Sequence, residues 1–347
     1  MPRSHADDLR RFAHDVLHAC GLPAEDAEAA ASCLVFANLR GVDSHGVLRL
    51  MQYARALAEG EINARPQVRL LQRRGAVALV DADGGYGFRP TRMAMAAAME
   101  AARQFGLGAA GVRNSHHFGM AATYVLPAAA AGLVGMLYTT TEPLIAPPGG
   151  VKARVGNNPY AIAVPGDPPI VLDMALSRVA LGRIRLAAAE GRPIPEGWAY
   201  DGGGRPTADA AEALRAGLLA PVGDYKGYGL SVIAEILAGV MTGSPFGLSA
   251  RAHARREGGV GHLALAIDPS FFGDVSAFAA GVGRLAEEIY GVPRAEGTDA
   301  VYLPGDIERG VLAQRQRDGI PVSDELAGQL DTLADGLGVP RPVWRQG

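Results

Sequence analysis

The chain has 347 residues, of which 48% are hydrophobic and 20% charged, and its net charge at pH 7 is −3. This composition excludes a disordered chain, and the small net charge without any Lys/Arg-rich block gives no indication of a nucleic-acid-binding protein. No run of about 18 apolar residues is present, so we expect no membrane span. The segment Met1–Asp8 lacks the apolar centre of a secretory signal, and we therefore expect a cytoplasmic protein.

Three helices are predicted at the start of the chain. The first two cover residues 6–19 and 24–39, where apolar side chains recur at helical spacing. The third is predicted to begin at Asp43 or Ser44, either of which can act as an N-cap, and to run to Glu59.

The third predicted helix carries a polar face. On it His45, Arg49 and Tyr53 are four residues apart, so that all three project from the same side. An imidazole, a guanidinium and a phenol together are poorly explained by packing and suit substrate binding. A solvated surface face is the alternative.

From about residue 66 the pattern changes to alternating strands and helices, which predicts an α/β region. The predicted strands cover residues 76–80, 108–112, 133–138, 160–164, 169–172 and 262–267. The predicted helices cover residues 90–104, 121–131, 177–190 and 230–241, followed by two or three more near the end of the chain.

A polar cluster, residues 113–120, lies between a predicted strand and a predicted helix. It contains the adjacent histidines His116 and His117. Neighbouring side chains at the end of a strand point to opposite faces, so one imidazole can enter a cleft while the other packs. This place favours a catalytic histidine, and a hydrogen-bonded structural histidine is the alternative.

The segment Gly106–Gly111 matches the dinucleotide-binding pattern G-x-G-x-x-G, but its setting is wrong. That pattern follows a strand, opens a helix and has an acidic residue about 20 positions further on. Here a predicted helix comes first and a predicted strand follows, and residues 126–136 contain no Asp or Glu. We therefore interpret the segment as a turn that ends a helix and reject a Rossmann fold.

Other catalytic classes find little support. The chain has no H-E-x-x-H motif and only two cysteines, so we expect no metal site. It also lacks the G-x-S-x-G elbow of a serine hydrolase. Lys226 precedes a glycine-rich helix start, where an ammonium group can meet a phosphate, although a lone lysine is commonly a solvated surface charge.

The remaining polar residues form a coherent set. Arginine binds a carboxylate through two hydrogen bonds, and histidine transfers protons near neutral pH. Together they suit a small hydroxy or keto acid as substrate. The glycine-bordered turns at residues 139–142, 173–177 and 224–229 are then available for a cofactor.

These motifs resemble the malate/L-lactate dehydrogenase group, which includes ureidoglycolate dehydrogenase, sulfolactate dehydrogenase and the cyclic-imine (Δ1-piperideine-2-carboxylate) reductases. The matching segments cover nearly the whole chain and are residues 43–46 with Arg49 and Tyr53, 114–119, 156–159, 173–175, 193–198 and 226–230. The resemblance implies an oxidoreductase that uses NAD or NADP in a sheet domain not of the Rossmann type. It also implies a homodimer with active sites at the subunit interface.

The resemblance also implies roles for individual residues. The catalytic set is His117, His45 and Arg49. The substrate-binding set is Tyr53, Ser44 and Asn114. The cofactor-binding set is Thr139, Thr141, Asp173, Met174, Ala175, Ser177 and Lys226. With it comes an expected division into a helical domain, residues 1–74 plus 306–347, and an α/β cofactor-binding and catalytic domain, residues 75–305.

We therefore predict hydride transfer between a nicotinamide cofactor and C2 of a 2-hydroxy acid, with His117 taking the hydroxyl proton. Two close alternatives use the same site: reduction of a cyclic 2-imino acid and oxidation of ureidoglycolate. A metal-dependent hydrolase or lyase that uses His45, Asp43 and the histidine pair is the rival from another class. A binding protein without catalytic activity is a further alternative.

Overall fold

The computed structural model describes residues 1–252 and 258–345. The helices are α1 (Ala6–Ala19), α2 (Ala24–Leu39), α3 (Leu50–Ala58), α4 (Phe88–Phe105), α5 (Ala122–Ala130), α6 (Leu181–Ala189), α7 (Ala210–Ala216), α8 (Tyr225–Glu235), α9 (Leu248–Ala252), α10 (Val275–Tyr290), α11 (Asp306–Asp318) and α12 (Asp324–Leu337). The strands are β1 (Arg3–Ser4), β2 (Arg69–Arg74), β3 (Val77–Asp81), β4 (Leu107–Ser115), β5 (Val134–Thr139), β6 (Tyr160–Val164), β7 (Ile170–Met174), β8 (Ala199–Tyr200), β9 (Pro206–Thr207), β10 (Leu218–Leu219), β11 (Val260–Ile267) and β12 (Ile320–Pro321).

The central sheet has seven strands in the order β2-β3-β4-β11-β5-β6-β7. Only β3 and β4 are parallel neighbours, and every other pair in this sheet is antiparallel. A doubly wound dinucleotide-binding fold has a mostly parallel sheet with crossover helices. The predicted α/β class outside the Rossmann type is therefore confirmed.

Both faces of the sheet are covered by helices. α4 and α5 pack on one face, and α8 with its π-helical continuation, Ile236–Val240, packs on the other. The α4 contact is so close that a Cβ atom at Gly108 of β4 would lie 2.0 Å from the carbonyl oxygen of Ala98. The small residues of β4 are thus what allow the helix to approach the strand.

The N-terminal helices form an outer layer with the C-terminal segment. α1, α2 and α3 pack together, α12 contacts α1 and α3, and β1 pairs with β12. α2 packs against α4 and α5 and thereby joins this layer to the sheet. β2, which the predicted division at residue 74 assigns to the helical domain, is hydrogen-bonded to β3 in the sheet. The division itself stays a prediction.

The predicted glycine turn before β4 is confirmed. Gly106 ends α4 in the left-handed region, with φ 82°, and its N–H donates to the carbonyl of Ala102. β4 begins at the next residue. The order helix, turn, strand is the reverse of a dinucleotide-binding unit.

The prediction of one continuous helix from Asp43 to Glu59 is wrong. Two 3₁₀ turns, Asp43–His45 and Val47–Arg49, precede α3, and Gly46 between them is extended. Asn38 is the cause, because its side chain accepts the N–H of Val47 and fills the space that a Cβ atom at Gly46 would need.

Asp43, one of the two residues predicted to cap that helix, instead forms an ion pair with the C-terminal segment. Its carboxylate binds Arg315 of α11 through two hydrogen bonds of 2.6 and 2.9 Å. This bidentate pair fixes the turn to the C-terminal segment. In the described parts of the chain, no helix is long and apolar enough to cross a membrane.

Candidate active site

Turns from distant parts of the chain meet where one set of strand ends of the central sheet comes together. This row of strand ends, and not an outer strand, is the edge referred to below. β4 and β5 both end at this edge, and β11, antiparallel to both, begins there. β6 begins and β7 ends at the same edge. The polar turns singled out from the sequence therefore lie side by side, namely residues 113–120, 139–142, 156–159 and 173–177.

His117 is fixed at this edge just after β4 ends at Ser115. Its Nδ1 atom lies 2.5 Å from the hydroxyl oxygen of Tyr53. The N–H of Gly119 donates to the same nitrogen at 3.3 Å. The side chain is only partly buried. Its neighbour His116 is buried, so the two adjacent histidines differ in environment as expected.

These contacts leave Nε2 of His117 as the nitrogen available for proton transfer. The neutral tautomer that can accept a proton at Nε2 carries its proton on Nδ1 and donates it to the Tyr53 hydroxyl, whereas the longer contact from the Gly119 N–H belongs to the tautomer with its proton on Nε2. A tyrosine hydroxyl both donates and accepts, so Tyr53 keeps its hydrogen bond when Nδ1 carries a proton. The pair therefore holds the ring in place throughout a protonation cycle at Nε2.

Tyr53 is itself immobilised by aromatic packing. Its ring lies 4.7 Å from that of Tyr86 and 5.9 Å from that of Phe88, measured between centroids. The Tyr86 hydroxyl donates to the backbone carbonyl of Tyr53 at 3.1 Å. Tyr53 is 3% exposed. It thus contacts His117 and has little surface left for a substrate.

His45 and Arg49 lie beside His117. The His45 ring stacks on the His117 ring with centroids 5.6 Å apart, and its Nδ1 is 3.0 Å from the Ser44 hydroxyl. Arg49 donates from Nε to the Ser44 carbonyl at 2.7 Å and from one terminal nitrogen to Gln52 at 2.9 Å. The predicted cluster of His45, Arg49, Tyr53 and His117 is therefore brought together even though the predicted helix is broken.

Asn114, predicted to bind substrate, has its amide engaged elsewhere. Its Nδ2 donates to the carboxylate of Asp81 at 3.1 Å, and its backbone has φ 52°. Left-handed backbone is uncommon outside glycine, and asparagine tolerates it better than most residues. Asn114 therefore shapes the turn that leads to the histidines.

The electrostatics of the cluster keep its imidazoles neutral at pH 7. Burial lowers the pKa of His117 well below 6.5, and the nearby His45 and Arg49 lower it further. Burial, followed by the positive charge of Arg49, lowers the pKa of His45 to about 4. A neutral imidazole is the form that accepts a proton.

The sequence and the fold are shared with known proteins. The family model for malate/L-lactate dehydrogenase matches residues 4–331. The chain belongs to the malate/L-lactate dehydrogenase family.

Individual members of the family agree along the whole chain. A malate dehydrogenase of Pyrococcus abyssi is 35% identical over 343 residues, covering 96% of this chain and 94% of its own. The structure of sulfolactate dehydrogenase from Methanocaldococcus jannaschii superposes with a TM-score of 0.89 at 36% identity, covering 98% of both chains. Δ1-Piperideine-2-carboxylate reductase from Pseudomonas syringae pvar. tomato reaches a TM-score of 0.87 at 29% identity, covering 96% of this chain and 100% of its own.

Membership of the family confirms the predicted class of enzyme. The predictions of a dehydrogenase that acts on the CH–OH group of hydroxy acids, and of NAD or NADP as its cofactor, are both confirmed. The predicted resemblance is confirmed as well. The roles assigned to individual residues stay predictions.

The threonines predicted to contact the cofactor direct their side chains inward. Thr139, 2% exposed, has its hydroxyl 2.8 Å from Nδ1 of His262. The Thr141 hydroxyl donates to the side chain of Asn157 at 2.9 Å, and its N–H donates to Asn158 at 3.0 Å. Both hydroxyls are therefore already hydrogen-bonded within the protein.

The second predicted cofactor segment, residues 173–177, lies at the end of β7. Asp173 is exposed and accepts the N–H of Ala122, the first residue of α5, at 2.7 Å. Met174 and Ala175 are partly exposed at this edge. Ser177 is buried and accepts a hydrogen bond from Asn157 at 3.1 Å.

Lys226 occupies the first turn of α8 and is exposed. Its segment is joined to the β7 turn, because the N–H of Val222 donates to the carbonyl of Leu176 at 2.9 Å. Ser177 also forms an isolated bridge with Pro221. All three predicted cofactor segments therefore lie at the same edge.

A cavity of about 700 Å³ lies between α2, α5, the start of β7 and the start of α11, and it extends from the N-terminus of α5 toward the opposite ends of the strands. Its wall is mostly apolar and includes Phe36, Leu126, Val171 and Gly305. Two polar atoms that line it, Nε of Arg40 and the Thr123 hydroxyl, are buried without a hydrogen-bond partner among the described residues. Unpartnered buried polar groups are rare, and a bound ligand is one way to satisfy them.

The sequence analysis did not assign three residues at this edge that connect the parts of the candidate site. His262 is buried between the hydroxyls of Thr139 and Ser115, Asn157 links two cofactor segments, and Glu235 lies beneath them. A signal was present for two of them, because His262 and Glu235 each interrupt an otherwise apolar strand or helix. In the described residues no group of three or more His, Cys, Asp or Glu side chains is placed to hold a metal ion.

Proposed function

We propose that the chain interconverts a small 2-hydroxy acid and its 2-oxo acid at His117, with NAD or NADP as the partner in hydride transfer. The observation that carries the proposal is the pairing of His117 with Tyr53, which fixes a neutral imidazole beside Arg49 at the cofactor edge. The nicotinamide, when bound, accepts or supplies the hydride at C2 of the substrate. All proton transfer is then left to the protein.

His117 is proposed as the proton acceptor for the substrate hydroxyl. In the direction of oxidation, Nε2 receives the proton while Tyr53 accepts a hydrogen bond from Nδ1–H. In the direction of reduction, Nε2 returns the proton to the oxygen at C2. The neighbouring positive charge of Arg49 disfavours a lasting imidazolium and so favours return of the proton.

Arg49 and His45 are proposed to bind the carboxylate of the substrate. Two contacts to Ser44 and Gln52 hold the Arg49 side chain in place. The guanidinium is thus oriented before the substrate arrives, which reduces the entropy lost on binding. His45, stacked on His117, keeps the carboxylate end of the substrate close to the proton acceptor.

Arg49→Lys is expected to raise KM for the acid substrate about tenfold, with a smaller change in kcat. A lysine supplies a point charge and loses one of the two charge-assisted hydrogen bonds of the planar fork. Steady-state kinetics at saturating cofactor measure both constants. Arg55→Lys, an exposed change on α3, is the matched control. An unchanged KM for Arg49→Lys would remove the arginine from the substrate site.

The cavity beside β7 is proposed to hold part of the dinucleotide. Its apolar wall suits an adenine ring, while the Arg40 and Thr123 atoms without partners suit polar groups of the cofactor. Thr139, Thr141, Asp173, Met174, Ala175, Ser177 and Lys226 are proposed to shape the rest of the cofactor site. The N-terminus of α5, which already binds the Asp173 carboxylate, has the polarity that favours negative groups.

The decisive experiment is oxidation of NADH and of NADPH by the purified protein with pyruvate, oxaloacetate, a longer 2-oxo acid and a cyclic 2-imino acid. We expect turnover with a 2-oxo acid, and the faster cofactor gives the preference. Turnover with the cyclic imine alone would identify a reductase of C=N bonds. Binding of both cofactors without turnover would direct the search to ureidoglycolate. Failure to bind either cofactor would overturn the proposal and favour a metal-dependent hydrolase, to be examined by metal analysis.

The active enzyme is proposed to be a homodimer with active sites at the interface. α8 and its continuation expose an apolar stripe on the side away from the sheet, formed by Leu230, Ile233, Ile236, Val240 and Met241. The apolar helix α10 has no buried residue in the single chain. Contiguous exposed apolar side chains are typical of interaction surfaces, and α8 also carries Lys226 of the proposed cofactor site.

Ile233→Glu is expected to shift the protein from dimer to monomer, because a carboxylate within the stripe must be desolvated on association. Sedimentation velocity at several protein concentrations measures the shift. Gln316→Glu, an exposed change on α11, adds the same charge outside the stripe. A dimer that persists in the Ile233 variant would place the interface elsewhere.

We also propose that the enzyme works in the cytoplasm. Both cysteines, Cys20 and Cys33, are free thiols, which agrees with a reducing compartment. Fractionation of cells that produce the protein at natural levels tests this location.

A further inference from the structure

A carboxylate is buried beneath the proposed cofactor turns. Glu235, the last residue of α8, is 5% exposed and is the one charged residue between Lys226 and Arg251 in the sequence. The helix changes from α to π geometry immediately after it. Single turns of π-helix occur frequently at functional sites.

Three hydrogen bonds from two segments, residues 156–158 and Gly247, converge on this carboxylate. Oε2 accepts from the N–H of Gly156 at 3.2 Å and from the side-chain amide of Asn158 at 2.5 Å. Oε1 accepts from the N–H of Gly247 at 2.7 Å. A charged acceptor makes these bonds stronger than neutral ones, and they compensate for burial of the charge.

The segment held by Glu235 in turn holds both predicted cofactor turns. Asn158 accepts the N–H of Thr141, and Asn157 bonds to the hydroxyls of Thr141 and Ser177. The carbonyl of Asn157 also accepts the N–H of Leu176 at 2.7 Å. One chain of hydrogen bonds thus runs from α8 through residues 156–158 to the ends of β5 and β7.

Residues 156–158, at the centre of this chain of hydrogen bonds, are packed so closely that their backbone has no space to move. A Cβ atom on Gly156 would lie 2.2 Å from the side-chain oxygen of Asn158 and 2.3 Å from the Thr141 hydroxyl. Asn158 is fully buried, with φ 22°, a backbone region that few side chains adopt. Such a conformation persists where its surroundings determine it, and the Glu235 carboxylate is the charged part of those surroundings.

We propose that Glu235 is a positioning residue for the dinucleotide. It fixes residues 156–158, which hold the turns at residues 139–141 and 173–177 at the spacing that the cofactor requires. This inference rests on the proposed function, because it assigns those two turns to the cofactor. Glu235 itself contacts neither the substrate nor the reacting atoms.

Glu235→Gln is the variant that tests the role. Glutamine has nearly the same shape, but its NH₂ group is a donor and must face either Gly247 or the pair Gly156 and Asn158, all of which donate. At least one of the three bonds is lost, and the cofactor turns become less ordered. Misplacement of binding groups by about 1 Å can cost up to about 10²-fold. We expect NADH and NADPH to bind at least about tenfold more weakly.

The dissociation constants are measured by titration of nicotinamide fluorescence, and kcat and KM by steady-state kinetics. A positioning role predicts a large increase in the KM for the dinucleotide, a smaller change in kcat at saturation and an unchanged pH profile of kcat, since His117 is untouched. The matched control is Ser231→Ala on the same helix, because the Ser231 hydroxyl is buried without a hydrogen-bond partner in the described chain. It is expected to bind both dinucleotides as the parent protein does.

Each outcome bears on a different claim. If the parent protein binds neither dinucleotide, the proposed function fails. If the parent protein binds and folded Glu235→Gln binds equally well, this inference alone is overturned. Should Glu235→Gln fail to fold, Asn157→Ala replaces it, because this change cuts the same chain of bonds nearer to Thr141 and Ser177. Equal affinity in folded Asn157→Ala would then overturn the inference.

Discussion

His117→Ala is expected to lower kcat about 10²–10⁴-fold, the usual contribution of a positioned general acid–base group. The imidazole is the proposed proton acceptor, and removal of its ring leaves the hydroxyl proton to be taken by water. Tyr53 does not substitute for it, because its buried hydroxyl is directed at Nδ1 of the histidine. Burial also raises the pKa of Tyr53, so that the phenol is no base at neutral pH.

The binding of NADH or NADPH should change little in this variant, because the turns proposed to bind the cofactor, residues 139–142 and 173–177, do not include His117. Comparison of kcat with the dissociation constant of the cofactor separates lost chemistry from lost binding. His14→Ala, which removes an imidazole on α1, is the control for a general effect of histidine loss. Turnover close to that of the parent protein in His117→Ala would transfer the proton-accepting role to another residue.

The sheet was predictable because its strands are short, apolar and bounded by turns. The strand at residues 160–164 has the predicted limits, and the reversed order of elements around Gly106 correctly excluded the Rossmann fold. β2 was not predicted as a strand. It is the exposed outer strand of the sheet, and its sequence Arg-Leu-Leu-Gln-Arg-Arg does not alternate between apolar and polar residues. α7 was missed although its sequence, Ala-Ala-Glu-Ala-Leu-Arg-Ala, favours a helix, because it is short and closely follows the segment rich in proline and glycine that ends at Pro206.

The predicted third helix illustrates how a tertiary contact overrides local signals. Residues 43–59 contain capping residues and helical spacing, and these signals predict one helix. The side chain of Asn38, from the preceding helix, binds the N–H of Val47 and requires glycine at position 46. Neither effect is visible from the segment itself.

The sequence predicted which residues form the site, but not the contacts that these residues make with one another. Residue type and motif brought Tyr53 and His117 into one set, but they are 64 positions apart, and nothing local indicates a hydrogen bond between them. Glu235 and His262 were missed for the same reason. A polar residue that interrupts an apolar segment marks a position of interest, but its role becomes clear only when its partners on other strands and turns are known.

Acidification from pH 6.5 to 4.5 is expected to destabilise the fold through its buried histidines. His262 is fully buried, and burial lowers its pKa to about 3, partly opposed by its hydrogen bond with the His116 backbone. Burial likewise lowers the pKa of His116 to about 4. Both side chains stay neutral in the folded state across this range, whereas the unfolded chain binds protons below about 6.5.

The sign follows from this difference in bound protons. Because the unfolded state takes up more protons as the pH falls, the free energy of unfolding is highest above pH 6.5 and decreases toward the folded-state pKa values. Each histidine contributes a decrease of about 1.4 kcal/mol per pH unit once the unfolded chain is fully protonated there. Over the two units, His262 alone is expected to account for roughly 2 kcal/mol, since its protonation in the unfolded chain is incomplete near pH 6.5.

His262→Gln isolates this contribution, since glutamine can still donate and accept between Thr139 and Ser115 but does not titrate. Urea unfolding of both proteins, at one protein concentration and at pH 6.5 and 4.5, gives the two losses of stability. The variant should lose less than the parent by about the contribution of one histidine, while carboxylate effects cancel in the comparison. Equal losses would mean that His262 is protonated within the fold, with the Thr139 and Ser115 oxygens accepting from both ring nitrogens. In that case the hydroxyls, rather than the exclusion of charge, would determine how β4 and β5 are held together beneath the active site.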